Sequence, residues 1–101
     1  MKALENKVTQ IYIEEKPITY ADLITMALNY RSSEGFSVEE MRKRIRLADR
    51  LEKAEPGRDI FFEDADAARL TTIIKQCKFK LIHRDIVALE DDIINMRTIN
   101  E

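Results

Sequence analysis

Apolar and polar positions along the chain change period several times, and each change marks an element. Val8-Thr9-Gln10-Ile11-Tyr12-Ile13, rich in β-branched and aromatic residues, stops at Glu14-Glu15-Lys16-Pro17 and predicts a short strand. Leu4, Val8 and Ile11 also fall at helical spacing, so period alone leaves a helix open for this segment. The first helix opens at Thr19, with Asp22 three residues on as the acidic partner of a capping box and Tyr20, Leu23, Ile24, Ala27 and Leu28 as its apolar stripe. Arg31-Ser32-Ser33-Glu34-Gly35-Phe36 breaks that stripe and predicts an interhelical loop.

Ser37-Val38-Glu39-Glu40 is a second capping box, with Phe36 and Met41 placed for a hydrophobic staple. The helix it starts carries Val38, Met41, Ile45, Ala48, Leu47 and Leu51 toward a core and must stop before Pro56-Gly57. Asp59-Ile60-Phe61-Phe62-Glu63 is too short for a helix between its breakers and predicts a strand that pairs with the first. Asp64 is expected to cap a third helix, with Asp66 favourably placed in its first turn and Ala67, Leu70, Ile73, Ile74 and Cys77 on its buried side.

A last helix is predicted from His83 or Arg84. Ile82, Ile86, Leu89, Ile93 and Met96 recur at alternating steps of four and three, an a/d-like seam that faces either the core or a copy of the same helix. Its other side carries Asp85, Glu90, Asp91 and Asp92. The fold expected from these elements is a mainly α, four-helix single domain with a minor two-stranded β element. Residues 1–18 form an N-terminal strand or arm and residues 19–101 a helical core with a short strand near 59–63. No internal repeat or linker divides the chain.

Composition agrees with a soluble globule: 45% apolar and 36% charged residues are too hydrophobic for disorder, and no run approaches the ~18 apolar residues of a membrane span. The start lacks the apolar run and small-residue cleavage site of a secretory signal. Cys77 has no second cysteine to pair with, so a reducing, cytoplasmic setting is expected. With 17 basic and 19 acidic side chains the balance is near neutral, and the distribution carries the information.

Positive charge gathers on the second helix at Arg42, Lys43, Arg44, Arg46, Arg50 and Lys53, and again between Arg69 and Arg84, where five basic residues occur with no acidic one. A helix of this kind could read DNA from a helix-turn-helix. Against that, Glu39–Lys43, Glu40–Arg44 and Asp49–Lys53 have the four-residue spacing of intrahelical ion pairs, and the preceding loop is longer than the motif's usual turn.

Catalytic chemistry finds little support. Cys77 and His83 are too few ligands for structural zinc, and Cys77 falls on an apolar stripe rather than in an electropositive setting. Ser32, Ser33 and Ser37 lie in a loop and a cap, the carboxylates share no evident pocket, and the isolated Gly35 and Gly57 cannot build a phosphate loop. The chain is therefore expected to be no enzyme and to need no cofactor or metal.

The phrases Gly35-Phe36-Ser37-Val38-Glu39-Glu40-Met41-Arg42-Lys43-Arg44, Glu63-Asp64-Ala65-Asp66-Ala67-Ala68-Arg69-Leu70 and Asp85-Ile86-Val87-Ala88-Leu89-Glu90-Asp91-Asp92-Ile93 resemble those of small helical accessory proteins of tailed bacteriophages and prophages. The resemblance implies a compact protein acting through protein contacts, in assembly or on a host component, and carries over no functional residue. The expected function is a non-enzymatic protein-interaction module, with self-association open and no membrane partner. Its candidate surface is Arg42, Arg46, Arg50 and Lys53 on the second helix and Asp85, Asp91 and Asp92 on the last. The alternative is a DNA- or RNA-binding regulator using the basic second helix.

Overall fold

A computed structural model describes residues 1–30 and 33–100. Its elements run β1 (Lys2–Glu5), β2 (Val8–Ile13), β3 (Lys16–Thr19), α1 (Tyr20–Leu28), α2 (Val38–Glu52), β4 (Asp59–Phe62), α3 (Asp64–Gln76), α4 (Arg84–Ile94) and β5 (Arg97–Thr98). All four expected helices are present; α1, α2 and α4 open at their expected caps, and α3 opens one residue early, at Asp64. The mainly α class with one minor β pair is nevertheless overturned. The strands make two sheets and about a fifth of the chain, so the fold is α+β.

The pairing differs from expectation as well. Val8–Ile13 is a strand, but it does not pair with residues 59–63. It folds back on β3 through a two-residue turn, Glu14-Glu15, while β1 lies between β4 and β5 in an antiparallel three-stranded sheet. A hairpin between neighbours closes the shortest loop, so β2 finds β3 before it can find β4. The turn places both Glu14 and Glu15 at positive φ, 52° and 68°, where asparagine or glycine would sit with less strain. Pro17 reads as a breaker in the sequence, yet β3 keeps one edge unpaired, and an edge strand tolerates a missing N–H. With lengths of four, four and two residues, β1, β3 and β5 offer no period to read.

Caps show the same mixture. Thr19 forms its capping box with Asp22 in both directions. Ser37 accepts from the Glu40 N–H at 3.1 Å, but the Glu40 carboxylate turns to Arg44 and Arg69 instead of closing a box. The N-cap of α3 is Glu63 rather than Asp64 and makes no side-chain cap bond, while the Asp64 carboxylate pairs with the Met1 ammonium at 3.1 Å. His83 caps α4, its Nδ1 accepting from the Asp85 N–H at 3.0 Å.

One core joins both sheets to the helices. Phe62 of β4, Leu23 and Ile24 of α1, Leu47 of α2, Leu70 of α3 and Leu89 and Ile93 of α4 are fully buried in it, with Leu4, Ile11 and Ile18 from the strands. Ile82 of the expected α4 seam is fully exposed, since it lies before the helix begins. Asn6 pins the junction between the sheets. Its Oδ1 accepts from Ala21 N–H at 2.8 Å, its N–H donates to Arg58 O at 2.9 Å, and its carbonyl accepts from Gly57 N–H at 2.8 Å. Gly57 itself, at φ 78°, completes the tight Glu55–Arg58 turn that brings β4 alongside β1. Arg31 and Ser32 of the expected loop lie outside the described residues, and with them Ser32 as a candidate nucleophile.

Candidate interaction surface

At about 100° per residue, α2 divides into three strips. Leu47 and Leu51 face the core with Ala48 beside them. Arg44 lies on that inner side too. Its Nη1 donates to Leu28 O at 3.0 Å, its Nε donates to Glu40 at 3.0 Å, and its guanidinium stacks on Phe36 at 4.4 Å. Helix α1 has no basic residue in its last turn, so Arg44 caps its carbonyls from the neighbouring helix. Burial pushes the Arg44 pKa below its ordinary value, with Cys77 partly opposing it, and the Glu40 carboxylate that pairs with Arg44 also holds Arg69.

The second strip is apolar and open: Val38, Met41 and Ile45, expected in the core, are 63%, 45% and 58% exposed. The sequence contained a signal for this. On a helical projection these three lie well away from Leu47 and Leu51, so α2 has two apolar stripes and only one core to bury them in. The third strip is basic, and the structure sorts its members. Arg46 Nη2 bonds Asp66 at 2.6 Å, and Arg50 reaches Phe61 O at 3.4 Å and Glu63 at 3.9 Å. Lys43 pairs with Glu39 at 3.4 Å. The expected Asp49–Lys53 pair does not form, and among the described residues Arg42 and Lys53 have no partner.

The acidic candidates on α4 sort in the same way. Asp85 accepts from the Gln10 N–H at 2.8 Å, and Asp92 accepts from Lys7 Nζ at 3.0 Å and from the Tyr20 hydroxyl at 2.8 Å. Both carboxylates dock α4 onto the β2 end of the molecule. Asp91 is exposed, with no side-chain partner among the described residues. The basic and acidic candidates therefore do not converge on one site, and α2 and α4 share no extensive contact.

Tyr20 gives the α4 dock a pH signature. Burial, then its hydrogen bond to Asp92 and the charges of Asp92, Asp85 and Glu5, push its phenol well above the ordinary 10.0. Above pH 10 the unfolded chain releases this proton and the folded chain keeps it, so the stability Tyr20 contributes is complete below that pH and declines as pH rises beyond it. Tyr20→Phe is expected to cost about 1.5 kcal/mol at pH 8, the size of a hydrogen bond to a charged group. Its deficit should shrink between pH 10 and 11.5 in thermal melts.

Four clefts border α2 among the described residues, and two of them bear on its chemistry. A groove of about 420 Å³ separates it from β4 and is lined by Arg46, Asp49, Arg50, Lys53, Ile60 and Phe61. The other, about 640 Å³, lies between Tyr30, Phe36, Arg44 and Cys77. Cys77 is half-buried at the end of α3, beside Arg44. Burial raises its thiol pKa and the Arg44 charge only partly opposes that, so at neutral pH it is a protonated thiol. Among the described residues no group of three His, Cys, Asp or Glu could hold a metal ion, and no helix is long and apolar enough to cross a membrane. No family model, no curated protein and no solved structure matches the chain.

Proposed function

We propose that the chain is a non-enzymatic protein-interaction module that meets its partner with the outward side of α2. One observation carries this reading: an exposed apolar stripe, Val38, Met41 and Ile45, runs beside Arg42 and Lys53, two cations without an internal partner among the described residues. Apolar area supplies affinity when covered, and flanking charge selects and orients the partner. The resemblance to small phage accessory proteins points the same way, toward contact with an assembly or host component in a reducing cytoplasm.

The nucleic-acid alternative is weaker on this surface, because Arg46 and Arg50 are engaged with Asp66, Phe61 and Glu63. Two remaining cations would release counterions for only about two phosphates, a salt slope near −2. Anisotropy of labelled duplex and single-stranded oligonucleotides at about 50 and 200 mM salt measures that slope directly.

The test of the proposal is retention of proteins from the producing cells on immobilised chain. Arg42→Glu with Ile45→Glu should lower retention of the wild-type partners at least tenfold while the thermal midpoint stays close to wild type, since both side chains are exposed. Equal retention by the double variant rejects the outward face of α2 as the contact.

A further inference from the structure

The groove between α2 and β4 has a helix for one wall and the unfinished edge of a sheet for the other. In the sheet order β4-β1-β5, β4 has a neighbour on one side only. Its register fixes where its backbone groups point. Asn6 N–H donates to Arg58 O, so the alternation of an antiparallel ladder makes Leu4/Ile60 and Lys2/Phe62 the hydrogen-bonded pairs. The opposite edge of β1 agrees, since Ile99 N–H donates to Met1 O and Ala3 pairs with Arg97 on that side. The N–H and C=O groups of Asp59 and Phe61 therefore point away from β1 and into the groove. Arg50 Nη1 fits this direction, reaching Phe61 O across the groove at a long 3.4 Å.

Charge on the walls selects what could add there. The helix wall carries Arg46, Arg50, Lys53 and Asp49; Arg46 is held by Asp66 at 2.6 Å, whereas Arg50 is only loosely paired with Glu63 at 3.9 Å and Lys53 has no partner among the described residues, so these last two are open to a ligand. On the strand wall Asp59 is neutralised by Arg97 at 2.5 Å, and Phe61 offers a half-exposed ring on the face an added strand would share.

We propose that this groove binds an extended, acidic peptide segment of a partner protein, which pairs with the free edge of β4 and sets its carboxylates against Arg50 and Lys53. The inference rests on the interaction-module reading and gives it a binding mode: backbone bonds from strand addition supply affinity, and alternate side chains supply selectivity. Arg50 now stands where the incoming N–H would bond Phe61 O. Swinging to a ligand carboxylate exchanges the long contact with Phe61 O and the loose 3.9 Å pair with Glu63 for a close charge-assisted bond. In the absence of ligand the same arginine blunts an edge that would otherwise invite unspecific pairing.

The experiment is an amide-resolved NMR titration of the ¹⁵N-labelled chain with a blocked seven-residue peptide alternating valine and glutamate. The Asp59 and Phe61 amides should move downfield and gain at least tenfold protection from hydrogen exchange. A valine–lysine peptide, and the valine–glutamate peptide with alternate amides N-methylated on its pairing edge, should each bind at least tenfold more weakly. Phe61→Pro removes a donor that faces the groove rather than β1, so the strand should survive it while peptide binding is lost. Circular dichroism and the thermal midpoint check the fold, and Lys53→Glu provides a surface variant that does not touch β4.

Unmoved Asp59 and Phe61 amides, equal binding of the lysine peptide, or full binding of the N-methylated peptide each overturn the inference. These failures are separable from failure of the broader reading. If partner retention depends on Arg42 and Ile45 while the two β4 amides stay unmoved, the α2 face stands and the groove does not.

Discussion

Phe62→Ala is expected to destabilise the fold by about 3–5 kcal/mol, the range for emptying a large aromatic site in a core. A domain of this length has about 5–15 kcal/mol in all, so the variant should melt at least 12 °C lower or fail to fold at room temperature. Phe62 is fully buried and belongs to the one cluster that unites both sheets with all four helices. Its neighbour Phe61 is 42% exposed, and Phe61→Ala should cost less than about 1 kcal/mol. The contrast tests the register of β4 as well as its burial. Strand side chains alternate, so a slip of one residue against β1 would exchange the two rings. Urea unfolding of both variants is the measurement. Equal costs, or a larger cost at Phe61, would show that β4 presents its other face to the core.

Part of this was legible in the chain and part was not, for identifiable reasons. Helices announce themselves locally: Thr19 with Asp22, Ser37 with Glu40, and the buried spacing of Leu70, Ile73 and Ile74 all act within a few residues. Strand β1 does not. Lys2–Glu5 is too short to alternate visibly, and it becomes a strand because β4 and β5, far along the chain, close on it from both sides. The α+β class rests on this non-local element and on β3, whose Pro17 is a breaker in a central strand but admissible at an edge.

The candidate surface failed in a different way. Sequence places Arg42, Arg46 and Arg50 on one helix side, and four-residue spacing suggests partners only within that helix. The partners that engage Arg46 and Arg50 come from α3, from β4 and from the residue between them. Asp85 and Asp92 are likewise taken up by Gln10, Lys7 and Tyr20, at separations no local pattern reveals. What remains after this subtraction is Asp91 alone on α4 and, on α2, Arg42 and Lys53 beside Val38, Met41 and Ile45, a smaller and more apolar surface than charge counting implies.

Arg46→Ala, accordingly, is expected to act as a folding variant and not as a binding one. Asp66 is 2% exposed, and Arg46 Nη2 meets its Oδ1 at 2.6 Å from a helix face that is otherwise open. Removing the arginine leaves a buried carboxylate without its counter-charge, a change that costs about 3–5 kcal/mol where nothing else compensates. Asp66 also stands in the first turn of α3, where free backbone N–H groups favour an anion, so a loss of about 2–3 kcal/mol is the better expectation. Arg42→Ala, four residues back on the same helix and without a partner among the described residues, should change stability by no more than about 0.5 kcal/mol. A double-mutant cycle with Arg46→Ala and Asp66→Ala in urea should return a coupling of at least 1 kcal/mol. A coupling near zero would free Arg46 from its structural duty and return it to the set of cations open to a partner. A large one fixes the order of interpretation for binding data, because weaker binding by Arg46→Ala would then report an α2–α3 contact that has come apart, whereas weaker binding by Arg42→Glu would report the interface itself.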